Sequence, residues 1–242
     1  MIKLQDQLKK IELFRGSSDS SIRTLAQYST VMTAEKGSML FVHEDVADRF
    51  YLIQRGWVKL YRETLDGAQA VVDILTAGHL FGETSIFQDD IYPYSAEIAE
   101  TSSLISIPLR FLKKEIESNP KTAAAMLSSM ARYRKQQDQE LEHRTLQNAP
   151  QRIGCFLLRL ADQNDTGRPV SIHLPYDKTL VASRLGMQPE TFSRALNKLK
   201  QTTDIQIKGG TIEINSLEKL VQYSCAACSS EFPCKDIQNS AA

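Results

Sequence analysis

The sequence predicts an α+β protein with a β jelly-roll barrel at its N-terminus, a long helix in the middle and a winged helix-turn-helix at its C-terminus. Three observations lead to this prediction. Short β-rich runs recur at intervals of about ten residues between Val31 and Pro108, which is typical of a sandwich or jelly roll. A long helical pattern begins at Pro120, and two short helical patterns farther along are joined by Gly186.

Composition limits the class of protein. The chain has 242 residues, with 29 Lys plus Arg and 29 Asp plus Glu, so its formal net charge is zero. No apolar run approaches the ~20 residues of a membrane span. No apolar segment follows the charged start Met1–Asp6, so we expect a cytoplasmic protein without a membrane partner. Zero net charge counts against nucleic-acid binding only if the charge is spread evenly along the chain.

The predicted barrel is preceded by helical spacing over residues 4–28. Ser17–Ser20 interrupts that spacing and is suited to cap a second short helix. Inside the barrel, Phe50–Ile53 and Val58–Tyr61 are among the runs predicted as separate strands. We place this first domain at residues 1–115.

A long helix is predicted from Pro120 to about Gln147, inside a segment that we bound at 116–148. One stripe of this helix has apolar residues at 3–4 spacing, namely Leu127, Met130 and Leu141. The stripe fits a helix that pairs with a partner helix held by other contacts. A single helix packed on its own domain explains the same periodicity.

The helix-turn-helix is predicted within a third domain at 149–220. Leu180 and Val181 belong to its first helix, Gly186 makes the turn, and Pro189 suits the first position of the second helix. The second helix has one apolar face, formed by Phe192, Leu196 and Leu199. The stretch Ile205–Ile214, with two glycines at its centre, is typical of a hairpin wing.

The polar side of the second helix carries chemistry that suits base recognition. Arg194 can bond to guanine with two hydrogen bonds, Glu190 can accept from cytosine, and Ser193 can bond either kind of edge. The candidate DNA-binding residues are Thr179, Gln188, Glu190, Thr191, Ser193, Arg194, Lys198 and Lys208. Residues 177–210 carry six positive and three negative side chains, so this segment is locally basic. A solvated helical hairpin with ordinary surface charges is the alternative.

From about Leu13 to Leu220 the sequence resembles the cyclic-AMP receptor / FNR (CRP/FNR) family of bacterial transcription regulators. The resemblance lies in the order of the elements: glycine-punctuated barrel, Gly82-Glu83, long helix and winged helix-turn-helix. It implies a cyclic-nucleotide-binding-like barrel, a dimerisation helix and a DNA-binding domain. It also implies a homodimer whose partners are double-stranded DNA and RNA polymerase.

The resemblance places an effector pocket at Gly82, Glu83, Thr84, Tyr94 and Ser95. Cyclic-AMP binders of the family have an Arg before the Ser that matches Ser95, and that Arg neutralises the phosphate. Here Tyr94 stands in its place. Because a buried phosphate without a cation is costly, the sequence disfavours cyclic AMP. Glu83 can alternatively be a structural carboxylate bonded to backbone amides.

The DNA-contacting residues resemble those of the FNR branch, since Glu190, Ser193 and Arg194 match its Glu-x-x-Ser-Arg pattern. The match implies TTGAT-like half-sites. The N-terminal cysteines of FNR-like oxygen sensors are absent from this sequence. The run Gln188–Arg194 also resembles the nitric-oxide-responsive denitrification regulators, which implies a redox or gaseous signal, nitric oxide or oxygen, sensed through haem or an iron–sulfur cluster.

Three of the four cysteines, Cys225, Cys228 and Cys234, lie in a tail that we bound at 221–242. Some family members carry an iron–sulfur cluster on such a trio, completed by a ligand from elsewhere, so these residues are candidate metal ligands. The fourth ligand is left open between Cys155, a carboxylate, a histidine and an exogenous group. Zinc, a redox switch and a plain tail are the alternatives. Cys155 is expected in the core, because apolar residues surround it.

An enzyme is not expected. Gly37-x5-His43 faintly resembles a cupin motif, but Asp45 stands where the second histidine would be. No Walker loop or Ser/His/Asp set is recognisable. Two other functions stay open: a cyclic-nucleotide-binding adaptor that does not bind DNA, and a regulator that responds to a small organic effector.

Overall fold

The computed structural model describes residues 2–161, 169–175 and 177–229 and confirms the predicted α+β class. The chain divides into two compact units, one extending through Tyr133 and the other beginning at Arg134. The first unit is rich in β-structure, and the second is mainly helical with one small sheet. No helix in the described part of the chain is both long and apolar enough to cross a membrane.

The first unit begins with helices α1 (Ile2–Lys10) and α2 (Asp19–Tyr28), with a 3-10 turn at Glu12–Phe14 between them. Ser18 caps α2, as its Oγ accepts a hydrogen bond from the backbone N–H of Ser21 at 3.1 Å. The apolar sides of these helices join the core of the barrel.

Six strands make one antiparallel sheet. They are β1 (Thr30–Ala34), β2 (Met39–Phe41), β3 (Arg49–Glu63), β4 (Gln69–Thr76), β5 (Leu80–Phe81) and β6 (Ser95–Pro108). The order is β1-β6-β3-β4, and β2 and β5 pair with β6 and β3. The inward side chains form a core of aromatic and branched aliphatic residues, with Phe50, Ile98 and Leu104 fully buried.

The prediction of separate strands at Phe50–Ile53 and Val58–Tyr61 is wrong, since both belong to the 15-residue strand β3. The pairing of β3 with β6 shifts register between Ile53 and Val58, so the strand bends without ending. Gly56 lies in this irregular stretch with φ +99°. A Cβ there would lie 2.7 Å from the Cα of Ser102, so the close strand approach requires glycine.

Helices α3 (Leu109–Ser118) and α4 (Pro120–Leu146) follow the sheet. The start of α4 agrees with the predicted helix from Pro120. Several large apolar side chains on α4 are exposed, namely Leu127, Met130, Tyr133, Leu141 and Leu146.

The second unit contains the remaining elements. They are α5 (Ala149–Leu160), β7 (Val170–His173), α6 (Lys178–Arg184), α7 (Pro189–Thr202), β8 (Ile205–Lys208), β9 (Thr211–Ile214) and α8 (Leu217–Ser224). The strands form an antiparallel sheet in the order β7-β9-β8. The side chains of Leu157, Leu199 and Leu220 are 0% exposed. The predicted helix-turn-helix and hairpin wing are both present.

Gly56→Ala is expected to destabilise the protein by about 3 kcal/mol, because it adds overpacking against Ser102 to left-handed backbone strain. Gly37→Ala is the matched control: Gly37 has φ +85°, but no atom lies within 4 Å of the position that its added methyl group would take. We expect the control to lose only about 1 kcal/mol. Urea denaturation measures both losses, and equal losses would show that the approach of β3 to β6 is not what requires glycine.

Candidate nucleic-acid interface

The turn between α6 and α7 is built by short-range backbone hydrogen bonds. Asp177 caps α6, and its Oδ1 accepts from the backbone N–H of Thr179 at 2.9 Å and from the Thr179 hydroxyl. After α6, the N–H of Gly186 donates to the carbonyl of Ser183 at 3.0 Å, with Gly186 at φ +62°. The chain is thereby turned so that α7 begins at Pro189, as the sequence predicts.

Burial of one side of α7 determines which of its side chains face outward. Phe192, Leu196 and Leu199 are 1%, 5% and 0% exposed. The candidate residues Gln188, Glu190, Ser193, Arg194 and Lys198 are exposed, and Thr191 is partly buried. Within the described part of the chain, Arg194 makes no ion pair. Its side chain is exposed to solvent, where an external acceptor could reach it.

The wing places Lys208 at the end of β8, next to the Gly209-Gly210 loop. Lys208 Nζ lies 2.9 Å from Glu213 Oε2, so its charge is partly compensated inside the hairpin. Sequence reasoning missed this pair. The hairpin register contains the signal, because Lys208 pairs with Thr211 and Gln206 pairs with Glu213, which puts all four residues on one face.

A second feature that sequence reasoning missed is the carboxylate of Glu140 on α4. Arg184 of α6 donates to both of its oxygens, with 2.8 Å from Nη1 to Oε2, and Arg159 Nη1 of α5 donates at 3.2 Å. The side chains of Glu140, Arg184 and Arg159 are 16%, 11% and 21% exposed. Arg184 thus adds less to the basic surface than the local charge count predicts.

Burial alone would raise the pKa of Glu140. The hydrogen bond from Arg184 and the positive charges of Arg184, Arg159 and Arg144 outweigh burial, so the pKa lies below its ordinary value. Glu140 is therefore ionised at neutral pH and holds α4, α5 and α6 together.

The structure brings together three of the five predicted effector-pocket residues. The backbone N–H of Gly82 donates to the Tyr94 hydroxyl at 3.3 Å, and Glu83 follows Gly82 at the start of a 3-10 turn. Thr84 is the next residue of that turn and is partly buried. The hydroxyl of Ser95 is used differently, since its Oγ accepts from the backbone N–H of His43 at 3.0 Å.

The electrostatics of this pocket fit a neutral group better than a phosphate. Burial raises the pKa of Glu83, and only its own backbone N–H acts to lower that pKa. Glu83 Oε2 is buried without a hydrogen-bond partner among the described residues. Burial and the nearby Glu83 carboxylate raise the pKa of Tyr94 far above its ordinary value. Tyr94 is thus a neutral phenol where a phosphate would need a cation.

Cys155 lies in a more buried environment than Cys225 and Cys228. Cys155 is buried in α5, at 7% exposure, which agrees with the prediction that it lies in the core. Cys225 and Cys228 are partly buried at the end of α8, and Cys234 lies outside the described residues. Across residues 2–161, 169–175 and 177–229, no three His, Cys, Asp or Glu side chains are grouped as a metal site.

His143 of α4 lies between two of these sulfur atoms. Its Nε2 is 3.4 Å from Cys228 Sγ, and its Nδ1 is 3.8 Å from Cys155 Sγ. Burial and the positive charge of Arg159 lower the pKa of His143, and together they outweigh the opposite effect of Glu142 and Glu140. The imidazole is therefore neutral at neutral pH, the form that binds metals.

Both parts of the chain match families of known proteins. Residues 31–119 match the family described as cyclic nucleotide-binding domain, and residues 151–223 match the Crp-like helix-turn-helix domain. The CRP-like cAMP-activated global transcriptional regulator of Mycobacterium tuberculosis is 25% identical over 221 residues, which cover 90% of this chain and 99% of that protein. The nitrogen fixation regulation protein FixK of Rhizobium meliloti is 29% identical over 192 residues, covering 78% and 85%.

A solved structure is similar over nearly the whole chain. It is the crystal structure of a Ruegeria pomeroyi protein proposed to bind cyclic nucleotides, with a TM-score of 0.70 and 29% sequence identity. The alignment covers 91% of this chain and 96% of that one.

Glu140→Gln is expected to lower the free energy of unfolding by about 1.5–3 kcal/mol, because two largely buried guanidinium groups lose their anionic acceptor. Asp138→Asn is the control. Asp138 pairs with Arg134 on the surface, where the side chains are 62% and 80% exposed, and it should change stability by less than about 0.5 kcal/mol. Urea denaturation at pH 7 compares the two, and equal effects would contradict the role of Glu140.

The difference in stability between wild type and Glu140→Gln is expected to depend on pH. Because folding lowers the pKa of Glu140, its stabilisation is present above the ordinary value of 4.5 and is lost as the pH falls through the folded value. The difference in stability between wild type and Glu140→Gln should therefore shrink below pH 4.5. A difference that stays constant down to the acid transition would contradict this assignment.

Proposed function

Because the chain belongs to the CRP/FNR family of transcription regulators, we propose that it binds DNA in a sequence-specific manner by placing α7 in the major groove. The observation that carries the proposal is the division of α7 into a buried apolar face and an exposed face with Glu190, Ser193 and Arg194. These three side chains lie in the N-terminal half of α7, the half that contacts base edges in helix-turn-helix proteins.

We propose TTGAT-like half-sites arranged as a palindrome. The Glu-x-x-Ser-Arg pattern at Glu190, Ser193 and Arg194 supports this choice. A palindrome requires two copies of α7 related by two-fold symmetry. The exposed Leu127, Met130 and Tyr133 of α4 supply an apolar surface suited to pairing with a second copy of the chain. RNA polymerase is the further partner that a transcription regulator in the cytoplasm would contact.

The effector proposed here is not cyclic AMP, although the Mycobacterium tuberculosis relative is named as cAMP-activated. The neutral Tyr94 supports this difference, together with the buried Oε2 of Glu83, which has no hydrogen-bond partner within the described part of the chain. A phosphate buried next to these groups would lack a cation and would face a carboxylate. A small uncharged organic effector is the second candidate for this pocket, favoured by the same two groups.

For the signal we propose redox state or a gas, nitric oxide or oxygen, received at an iron–sulfur cluster on Cys225, Cys228 and Cys234, with haem as the alternative. Cys228 supports the tail cluster, since its sulfur lies 3.4 Å from Nε2 of His143. Thiolate and imidazole are both ligands that iron accepts. When bound, such a cluster supplies sensitivity to oxygen and nitric oxide. The protein itself contributes the ligands and the burial that controls access of solvent.

Arg194→Ala is expected to weaken binding to a TTGAT–N4–ATCAA duplex by about 1–3 kcal/mol and to relax discrimination at one guanine. Lys208→Ala is the comparison variant. It should weaken binding about equally on all duplexes and reduce the slope of log K against log salt by at most about 1, because Glu213 already compensates part of its charge. Fluorescence anisotropy over a salt series measures both. Unchanged affinity and specificity in Arg194→Ala would refute the recognition-helix assignment.

Cyclic AMP at millimolar concentration is expected to leave the Tm of the full-length protein unchanged. A ligand at 100 times its Kd would add about 2.7 kcal/mol to the free energy of unfolding and raise the Tm visibly. Thermal denaturation with and without the nucleotide makes the measurement, with adenosine as the uncharged control. A saturable rise in Tm with cyclic AMP would contradict the role assigned to Tyr94.

A further inference from the structure

The end of α4 carries an arginine that lies against the turn of the helix-turn-helix. Arg144 is exposed. A Cβ added at Gly186 would lie 3.9 Å from the guanidinium carbon of Arg144 and 3.9 Å from its Nε. The guanidinium of Arg144 is therefore located beside the turn that joins α6 to α7.

Positive charge is in excess at this end of α4. The carboxylate of Glu140 is acted on by three positive charges, those of Arg184, Arg159 and Arg144. Arg184 and Arg159 bind this carboxylate with hydrogen bonds. Three positive charges and one negative charge leave this group of side chains with a net charge of +2.

Glu142, another acidic residue on α4, is positioned away from Arg144. It lies two residues before Arg144, and side chains at that spacing do not face each other on a helix. Both oxygens of its carboxylate accept hydrogen bonds from Ser229, at 2.9 and 2.8 Å. Arg144 therefore presents its charge at the surface of the second unit, beside the turn.

A second guanidinium group lies near Arg144. Arg152 is partly buried on α5, and its Nε is buried without a hydrogen-bond partner among the described residues. Burial and the positive charge of Arg144 lower the pKa of Arg152. Two like charges held close together are unfavourable, and an anion placed between them offsets both their repulsion and their loss of hydration.

We propose that Arg144 and Arg152 bind one phosphate of the DNA backbone beside the turn at Gly186. This inference rests on the DNA binding proposed above and adds a contact that lies outside α7 and the wing. A phosphate supplies the negative charge that the two guanidinium groups attract, and its oxygens accept the parallel N–H bonds that arginine donates. Because every nucleotide carries the same phosphate, the contact contributes affinity and register but no base discrimination.

The position of the two arginines favours DNA over other anions. Gly186 is three residues before Pro189, where α7 begins, and the N-terminal residues of a recognition helix contact base edges in the major groove. The phosphates border that groove, which is about 12 Å wide. A guanidinium beside the start of α7 is therefore within reach of a phosphate at the edge of the groove that α7 enters.

This contact enlarges the basic surface that the sequence predicts. The local charge count covers residues 177–210, and neither Arg144 nor Arg152 belongs to that segment. Their position beside the turn depends on the packing of α4 and α5 against α6. The proposed DNA-binding surface therefore extends from α7 and the wing to the end of α4 and the start of α5.

The test compares Arg144→Gln with Arg134→Gln in the full-length protein. Both substitutions remove one positive charge from α4, but Arg134 lies ten residues, or about 15 Å, before Arg144 and pairs with Asp138. Fluorescence anisotropy measures binding to the TTGAT–N4–ATCAA duplex and to a duplex of scrambled sequence, over a salt series from about 50 to 200 mM. Circular dichroism melting checks that each variant is folded.

Arg144→Gln is expected to weaken binding to both duplexes by the same factor and to reduce the slope of log K against log salt by about 1, because one phosphate contact is lost. A change of that size makes the loss in affinity roughly threefold larger at the low end of the salt series than at the high end. Arg144→Lys should keep most of the affinity and the slope, because it keeps the charge. Arg134→Gln should leave both close to those of wild type.

Arg152→Gln should also weaken binding to both duplexes equally. Because Arg144 and Arg152 contact the same phosphate, the variant with both substitutions should lose less affinity than the product of the two single losses. Single losses that multiply in the double variant would overturn the shared phosphate.

Failure of this inference is distinguishable from failure of the proposed DNA binding. If wild type binds neither duplex, the proposed function is wrong and this inference is overturned with it. If wild type binds and Arg144→Gln has the affinity and salt slope of Arg134→Gln, Arg144 contacts no phosphate, and the proposed DNA binding stands. A loss that is the same at every salt concentration would indicate a structural role, and a changed ratio between the two duplexes would indicate a base contact; either result overturns the inference.

Discussion

The second unit depends on the ion pairs that the carboxylate of Glu140 forms with Arg184 and Arg159. Removing a carboxylate and two guanidinium groups from water costs several kcal/mol per ion, and the cost is offset only when the ions bond to one another with good geometry. Arg184 meets this condition by donating to both oxygens of Glu140, and Arg159 adds a third bond. These contacts fix α6 against α4 and α5, and the short turn at Gly186 then determines where α7 lies.

His143, which faces the sulfur of Cys228, and Glu140, which binds Arg184 of α6, lie within one turn of α4. Glu140 and His143 are three residues apart, so their side chains lie on the same side of the helix. The positive charge of Arg159, which pairs with Glu140, also acts on His143. A change at Cys228 and His143 therefore occurs next to the ion pairs that hold α6. Within the second unit this gives a short physical connection between Cys228 and the proposed recognition helix α7.

Local patterns predicted much of the fold. Proline at the first helical position marked the starts of α4 and α7, and the spacing of Phe192, Leu196 and Leu199 correctly identified the buried face of α7. The continuity of β3 was missed, because a register shift at Gly56 has the same local composition as a turn between two strands. Cys155 was recognised as a core residue from its apolar neighbours.

The contacts that sequence reasoning missed join residues far apart in the chain. Glu140 and Arg184 are 44 positions apart, and His143 and Cys228 are 85 positions apart. No helical or strand periodicity connects such pairs, so their pairing depends on the tertiary structure. Lys208 and Glu213 are a contrasting case, because the hairpin register of the wing already places them on one face.

The most direct test of sequence-specific recognition by a pair of α7 helices is selection of DNA from a random duplex library by the full-length protein. We expect the enriched sequences to share an inverted repeat whose half-sites are centred about one helical turn, roughly 10 base pairs, apart. The half-sites should contain the guanine whose discrimination depends on Arg194. A selected pool without any shared sequence, or with a single unrepeated motif, would contradict the account.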